Sequence, residues 1–334
     1  MTYNSLSVDT QAILLLTSRL GQPEQGVTPF RPAEFIELVK TLKSLELEVG
    51  DLLDPGNLER ISEIPEAERM SELLARGLAL AVALDKWEAQ GIWVIGWNDE
   101  KYPASYRENL RGQAPPVMYG IGDASLLSTK GIGIVGSRDV DEPGLEFTRT
   151  VAKSCARHHI QVISGGARGV DGEAMLACIE FGGSAVGIMA DSLARHAVSG
   201  RFREAIRSES LVLVSPFEPE ARFLIGNAMA RNKLIYALSE FALVISSDYN
   251  TGGTWAGATE NLRKSWAPLF VRDGEGVPEG NRRLVKMGVV PVEESADEDV
   301  VEWMQGNIPE MPQADASVGV RGKREKSEDT LSLF

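Results

Sequence analysis

The stretch GIGIVGSRDVDEPGLEFTRTVAKSCARHHIQVISGGARGVD, residues 131–171, decides the fold class. It contains two short apolar runs, IGIV and IQVI, which are separated by a segment with helical spacing. In that segment Asp141 is suited to cap a helix, and Phe147, Val151 and Cys155 recur every four residues on one face. Continuously apolar runs rich in valine and isoleucine are typical of buried parallel strands. The stretch therefore predicts a β-α-β unit.

The same pattern repeats along the chain and predicts an α/β fold. Short apolar runs occur at 92–95, 117–119, 132–135, 160–163, 185–189, 211–214, 242–245 and 268–271. Helical segments lie between most of them, so we expect a mostly parallel sheet with helices on both faces.

The two ends of the chain differ from this central part. Residues 5–20, 32–48 and 66–90 have helical apolar spacing and predict a small all-helical domain over 1–90. The α/β domain is then expected over 91–296, and residues 297–334 are expected to form an acidic and then disordered tail.

Composition limits the classes of function. The 334 residues carry a net charge of −14, so any nucleic-acid site must be a local basic patch on an acidic body. Cys155 and Cys178 lack metal-ligand spacing, and the three histidines form no evident cluster, so we expect no metal and no cofactor.

No apolar run reaches the roughly 18–20 residues that span a membrane, and the N-terminal residues lack a basic signal-peptide region. We therefore expect a cytoplasmic protein without membrane contact.

Glycine-rich loops follow three of the predicted strands. They are Gly136-Ser137-Arg138, Ser164-Gly165-Gly166-Ala167-Arg168-Gly169-Val170-Asp171 and Thr251-Gly252-Gly253-Thr254. In an open parallel sheet such loops share the carboxyl edge, where ligands bind. Glycine lets the backbone approach a phosphate, and the helix N-termini that follow offer free N–H groups. Arg138, Arg168 and the segment Arg231-Asn232-Lys233 add cations, so the sequence predicts a polyanion-binding edge.

Each of these features also has a purely structural explanation. A glycine after a strand often only makes a turn, Asp171 is suited to be a helix N-cap, and Arg231 and Lys233 can lie on a solvated helix face. The loops match neither a Walker A motif nor a clean GxGxxG fingerprint. We find no histidine placed to activate a serine, and we predict no catalytic residue.

The chain from about 91 to 292 resembles the DprA/Smf family of DNA-processing proteins. The resemblance is carried by Tyr102-Pro103, Ala114-Pro115-Pro116-Val117-Met118-Tyr119, Ile134-Val135-Gly136-Ser137-Arg138, Ser164–Asp171, Arg231-Asn232-Lys233-Leu234-Ile235 and Thr251–Thr254. It implies an extended Rossmann-like fold that binds single-stranded DNA, dimerises and loads a RecA-type recombinase during natural transformation. It further implies phosphate contacts from Arg138, Arg231 and Lys233, with Gly165–Gly169 lining the same pocket.

The chain also departs from the family pattern. Met175 stands where a histidine is usual, Ala228-Met229 replaces the usual F-P, and Trp255 replaces a leucine. The C-terminal residues Leu331-Ser332-Leu333-Phe334 are similar to the peptide by which bacterial replication proteins bind the sliding clamp, although Thr330 replaces its glutamine. A clamp-binding peptide and an incidental apolar end both remain open.

Two other functions remain open at this point. Gly252-Gly253-Thr254 followed by Glu260 is similar to the P-G-G-x-G-T-x-x-E motif of nucleotide phosphoribohydrolases, which would make the protein an enzyme. The same pocket could instead sense a small nucleotide in a phage-defence system. We rank both below binding of single-stranded DNA.

Overall fold

The α/β pattern predicted from sequence is present in the computed structural model, which describes residues 6–21, 26–60, 66–129, 131–293 and 299–310. The strands are β1 (Trp93–Gly96), β2 (Val117–Ile121), β3 (Gly131–Gly136), β4 (Gln161–Ser164), β5 (Ala185–Ile188), β6 (Leu211–Ser215), β7 (Phe241–Ser246), β8 (Leu269–Asp273) and β9 (Val290–Glu293). The helices are α1 (Val8–Thr17), α2 (Pro32–Ser44), α3 (Pro55–Arg60), α4 (Ala67–Leu74), α5 (Gly77–Ala89), α6 (Ala104–Leu110), α7 (Glu142–Arg157), α8 (Val170–Glu180), α9 (Leu193–Val198), α10 (Arg203–Arg207), α11 (Ile225–Leu238), α12 (Gly252–Lys264), α13 (Glu279–Lys286) and α14 (Val300–Gly306).

Within these residues nine strands form one sheet in the order β1-β2-β6-β5-β4-β3-β7-β8-β9. Every pairing from β6 to β9 is parallel, whereas β1 pairs with β2 and β2 with β6 in the antiparallel sense. The predicted mostly parallel sheet is confirmed. Its central strands β4, β3 and β7 are neighbours, so their carboxyl ends lie side by side.

The strands bury both faces, which explains their continuously apolar sequences. On β3, Ile132 and Ile134 join one apolar cluster and Val135 joins the other. The first cluster packs the sheet against the N-terminal helices, α7, α8 and α14, and the second packs it against α6, α11, α12 and α13. The predicted helices on both faces are therefore confirmed.

Strand β9 was absent from the sequence-based prediction. Its burial alternates, with only Val292 fully buried, so it lacks the apolar run that identified the other strands. It also contains Pro291, which has no N–H to donate and is tolerated because β9 lies at the edge of the sheet.

The N-terminal region is helical, but the helix predicted over 66–90 is two helices. The helical conformation is interrupted at Ala75 and Arg76, between α4 and α5. The buried guanidinium of Arg76 donates hydrogen bonds to the carbonyls of Leu15, Ser18 and Arg19, which lie at the C-terminal end of α1. The break therefore places a cation where the last carbonyls of α1 lack helical partners.

The predicted domain boundaries stay a prediction. Ile13 and Phe35 of the helical region belong to the same apolar cluster as Val94 and Tyr119 of the sheet. At the other end, residues 300–306 were placed in the tail by sequence but form α14. Its Val300, Val301 and Met304 are buried, because this short apolar run packs against α7.

The remaining features of the fold are the cysteines, the lengths of the helices and the C-terminal residues. Cys155 and Cys178 are buried and unpaired in α7 and α8. None of the helices in the described residues is both long and apolar enough to cross a membrane. Residues 311–334, including Leu331–Phe334, lie outside the described residues.

The side chain of Asn281 links the carboxyl ends of β7 and β8, and its removal tests how much this link contributes to stability. It is fully buried, its amide donates to the carbonyls of Ile245 and Arg272 at 2.9 Å each, and its oxygen accepts the N–H of Ser247 at 2.9 Å. We expect Asn281→Ala to lower the free energy of unfolding by about 3 kcal/mol, because three buried backbone groups lose their partners. Urea unfolding would measure this. Asn109→Ala, which removes one half-buried hydrogen bond to Ala237, is the control; equal losses in the two variants would contradict the assignment.

Candidate nucleic-acid interface

The three glycine loops meet at one edge of the sheet, as predicted. The first two are joined by the N–H of Val170, which donates to the carbonyl of Ser137 at 3.3 Å. The N–H of Ser137 donates in turn to the carbonyl of Ser246 at 2.9 Å, at the end of β7, which leads into the third loop. These contacts follow from the adjacency of β4, β3 and β7, and they create one continuous rim.

Gly165 and Gly169 are required by close approaches of other atoms. A Cβ on Gly165 would lie 1.9 Å from Nη1 of Arg231 and 2.4 Å from Oδ2 of Asp171. Gly169 has φ +84, and a Cβ there would lie 2.4 Å from the carbonyl oxygen of Ser137. Any other residue at either position would push the loops apart.

Two buried side chains of opposite charge, Asp171 and Arg231, lie beneath the rim. The Asp171 carboxylate accepts the N–H groups of Gly136, at 3.4 Å, and of Gly165. Burial raises the pKa of Asp171, opposed by the neighbouring Arg231 cation and by these two N–H groups. Burial likewise lowers the pKa of Arg231, opposed by the Asp171 charge. The pair therefore connects β3, the loop after β4, α8 and α11.

Two sequence-based assignments change as a result. Asp171 is not the N-cap of α8, because Gly169 occupies that position and Asp171 lies in the first turn. Arg231 was expected to contact phosphate, but it is only 5% exposed and its Nη1 donates to the carbonyl of Ile188 at the end of β5. In the described residues its Nε has no hydrogen-bond partner. Arg231 positions the loops instead of facing a ligand.

Ser164 also faces inward. It is fully buried and its hydroxyl donates to the carbonyl of Ile134 at 2.6 Å. The side chain of Ser137 accepts the N–H of Asp139 at 3.1 Å and so shapes the first loop. Neither hydroxyl approaches a histidine in the hydrogen bonds of the described residues, and His196 pairs with Asp191 at 2.9 Å.

Arg138 and Arg168 are the exposed cations of the rim. The guanidinium carbon of Arg138 lies 5.4 Å from the ring centre of Phe223, which holds the side chain over the loops. Arg168 pairs with Asp139 at 2.5 Å, but both side chains are about four-fifths exposed, 78% and 84%. A pair this exposed is worth at most about 1 kcal/mol, so Arg168 can exchange Asp139 for another anion.

Asn232 and Lys233 have separate roles. The amide of Asn232 donates to the carbonyl of Gly253 at 3.0 Å and fixes the start of α12. Lys233 donates to Oε1 of Gln113 at 3.2 Å, and burial lowers its pKa against the opposing charge of Glu260. Lys233 faces a neighbouring cleft, away from the other cations of the rim.

The third loop leaves a helix N-terminus open. Thr251 is the N-cap of the 13-residue helix α12, and its side chain makes no capping hydrogen bond. Thr251, Gly252 and Gly253 are exposed, so the first N–H groups of α12 face outward near Thr254. This arrangement suits an anion.

Sequence reasoning missed the cleft that Lys233 lines. Its volume is about 1240 Å³, and it lies between α5 and the segment that follows β6. Leu78 and Val82 line it and are 81% and 62% exposed. Their spacing of four residues was a usable signal, but α5 is apolar on most sides and its exposed side could not be distinguished from its buried one.

One group of side chains has the spacing of metal ligands. The ligand atoms of His158, Asp299 and Glu302 lie within 4.8 Å of one another. Arg157 already pairs with Asp299 at 3.4 Å. Because a neighbouring guanidinium disfavours a second cation, we assign no metal here.

Comparison with known proteins places the chain in a family. The family model described as DNA recombination-mediator protein A matches residues 93–305. The chain belongs to this DprA/Smf family. It is 28% identical over 207 residues to Protein Smf of Escherichia coli, covering 60% of this chain and 54% of that protein. It is 28% identical over 180 residues to DNA processing protein DprA of Bacillus subtilis, covering 51% and 57%.

Solved DprA structures share the fold. The X-ray structure of DprA from Streptococcus pneumoniae matches with a TM-score of 0.68 and 18% identity, covering 89% of this chain and 98% of that one. A structure of Helicobacter pylori DprA that concerns its single-stranded DNA binding mode matches with a TM-score of 0.55 and 21% identity, covering 65% of this chain and 97% of that one. The chain spans a little over half the length of the curated DprA/Smf relatives it matches.

The packing at Gly165 gives a second test. We expect Gly165→Ala to lower the free energy of unfolding by about 2 kcal/mol or more, because the new methyl group collides with the buried Arg231–Asp171 pair. Gly226→Ala, in α11, is the matched control, since a Cβ there meets nothing within 4 Å. The control should be neutral or stabilising by up to about 1 kcal/mol. Thermal unfolding that ranks the two variants equally would refute this account of the loops.

Proposed function

We propose that this chain binds single-stranded DNA at the rim of the three glycine loops and performs no chemical step there. The observation that carries the proposal is the exposed guanidinium of Arg138 on the rim formed by the glycine loops. The open N-terminus of α12 adds further donors on the same edge. A phosphate there meets a charged donor and several neutral ones.

The overall charge of −14 is compatible with such a site because screening keeps electrostatics local. Unpaired carboxylates more than about 8–10 Å from a phosphate are largely screened at physiological salt. Binding at the rim then depends on a few cations, and we expect its salt dependence to be modest.

Exposed apolar side chains beside Arg138 favour a single strand over a duplex. Phe223, Leu224 and Ile225 lie just before or at the start of α11 and are 46%, 59% and 74% exposed. Bases of a single strand can stack on such a surface, whereas bases in a duplex are already stacked. Phe223 supplies an aromatic ring near the rim of a chain that has Ala228-Met229 in place of the family's F-P. The Helicobacter pylori relative's single-stranded DNA binding supports the same choice.

The proposal extends to the biological role that the family resemblance implies. In that role a cytoplasmic homodimer loads a RecA-type recombinase onto the bound strand during natural transformation or recombination. The recombinase and the homodimer rest on the resemblance alone. Sliding-clamp binding through Leu331–Phe334 rests on the sequence of that segment.

Binding titrations with Arg138→Ala test the central proposal. We expect the parent protein to prefer a single-stranded oligonucleotide to a duplex of the same length. The variant should bind about ten- to a hundredfold more weakly, because a charge-assisted hydrogen bond contributes about 1.5–3 kcal/mol. Fluorescence anisotropy at one fixed salt concentration would measure both.

Arg263→Ala is the control for the loss of one charge, because Arg263 is exposed in the last turn of α12, at the opposite end of that helix from the rim. Equal, weak affinity for both DNA forms would refute the proposal. Thermal stabilisation by mononucleotides but not by oligonucleotides would favour the nucleotide-sensing function instead. Release of free base from a nucleoside monophosphate, lost in Glu260→Ala, would favour the phosphoribohydrolase.

A further inference from the structure

An arginine-rich segment lies between β5 and β6, outside the glycine loops. From Ser192 to Ser208 the chain contains four arginines, and its one carboxylate is Glu204. The arginines are Arg195 in α9, Arg201, and Arg203 and Arg207 in α10. On a chain with a net charge of −14, this concentration of positive charge is unusual.

All four arginines are exposed. Across the described residues, none of the four forms an ion pair. Some other surface cations are paired; Lys86, for example, lies 2.8 Å from Glu220. The nearby Asp191 carboxylate is paired with His196 at 2.9 Å and with none of the four arginines. The guanidinium groups are therefore available to an external anion.

The segment begins at the same edge of the sheet as the glycine loops and is connected to them by Arg201. A Cβ on Gly172 would lie 1.9 Å from Nη2 of Arg201, so the guanidinium lies against the first turn of α8, three residues after Gly169. The Arg201 guanidinium carbon is also 5.0 Å from the ring centre of the buried Phe202. These two contacts hold Arg201 beside the second loop.

Two of the other arginines lie in the helix that follows Arg201. Arg203 and Arg207 are four residues apart in α10 and therefore lie on one face of that helix. Helix α10 belongs to the connection between the end of β5 and the start of β6, so Arg203 and Arg207 follow Arg201 along a chain that runs away from the rim.

We propose that Arg201, Arg203, Arg207 and Arg195 form a second phosphate-binding surface, which holds the DNA strand after it leaves the glycine loops. This inference rests on the proposed function. It extends the contact from the few phosphates that the loops accommodate to a longer segment of the strand. Because guanidinium groups on a helix surface contact the sugar-phosphate backbone, this surface adds affinity without sequence preference.

The salt dependence of binding tests the second surface. For an oligonucleotide of about 30 residues, we expect Arg201→Gln/Arg203→Gln to reduce the slope of log K against log salt by about 1.4, at about 0.7 for each lost phosphate contact. For an oligonucleotide of about 5 residues, near the lower end of common single-strand site sizes, the slope should not change. Arg203→Gln alone should reduce the slope for the long oligonucleotide by about 0.7. This single variant keeps Arg201, so its result does not depend on whether the loss of Arg201 disturbs folding.

The matched control is Arg263→Gln/Lys264→Gln, which removes the same charge from the last turn of α12. Its slopes should equal those of the parent protein for both oligonucleotides. The inference is overturned if the double variant behaves like this control, or if it weakens both lengths equally while Arg138→Ala still abolishes most of the binding. Failure of the parent protein to bind either length would overturn the proposed function itself.

Discussion

The candidate site depends on two buried side chains of opposite charge, Asp171 and Arg231. Burying either charge alone would cost several kcal/mol, and removing one partner of such a pair typically destabilises a protein by about 3–5 kcal/mol. Here the carboxylate also accepts N–H groups from Gly136 and Gly165, and the guanidinium donates to the last carbonyl of β5. The hydrogen bonds of these two side chains thus fix the ends of three adjacent strands. The rim has its shape before a ligand arrives, so binding does not have to order it.

The surface charges have a different arrangement from the buried pair. The cations at the rim are few, and one of them, Arg168, is shared with Asp139. The arginines of α9 and α10 have no such partner among the described residues. An acidic protein with a confined basic path repels polyanions from most of its surface and admits them along one route. This restricts nonspecific coating of nucleic acid, which a uniformly basic protein would promote.

The sequence was sufficient to predict the central strands of the sheet, because β3, β4 and β7 are continuously apolar and each leads into a glycine-rich loop. It was also sufficient to bring the three loops to one edge, since parallel strands impose that arrangement. It could not show which polar groups of the site face inward: Ser164 and Arg231 are buried, whereas Arg138 is exposed, although all three are polar residues near the same edge of the sheet. Edge strand β9 and helix α14 were missed because one alternates in burial and the other is a short apolar run within an acidic segment. Arg201 was missed because only the folded chain places it against Gly172.

The two cysteines have a practical consequence. Both lie in the packed layer formed by α7 and α8, and burial raises the pKa of Cys178 to about 12 and that of Cys155 well above the usual range. Almost no thiolate exists at neutral pH, so alkylating reagents and peroxide react only when this layer opens. The rate of thiol modification therefore measures how often the packing between α7 and α8 opens. Cysteines introduced on the surface can be labelled selectively, because the two buried native cysteines do not react.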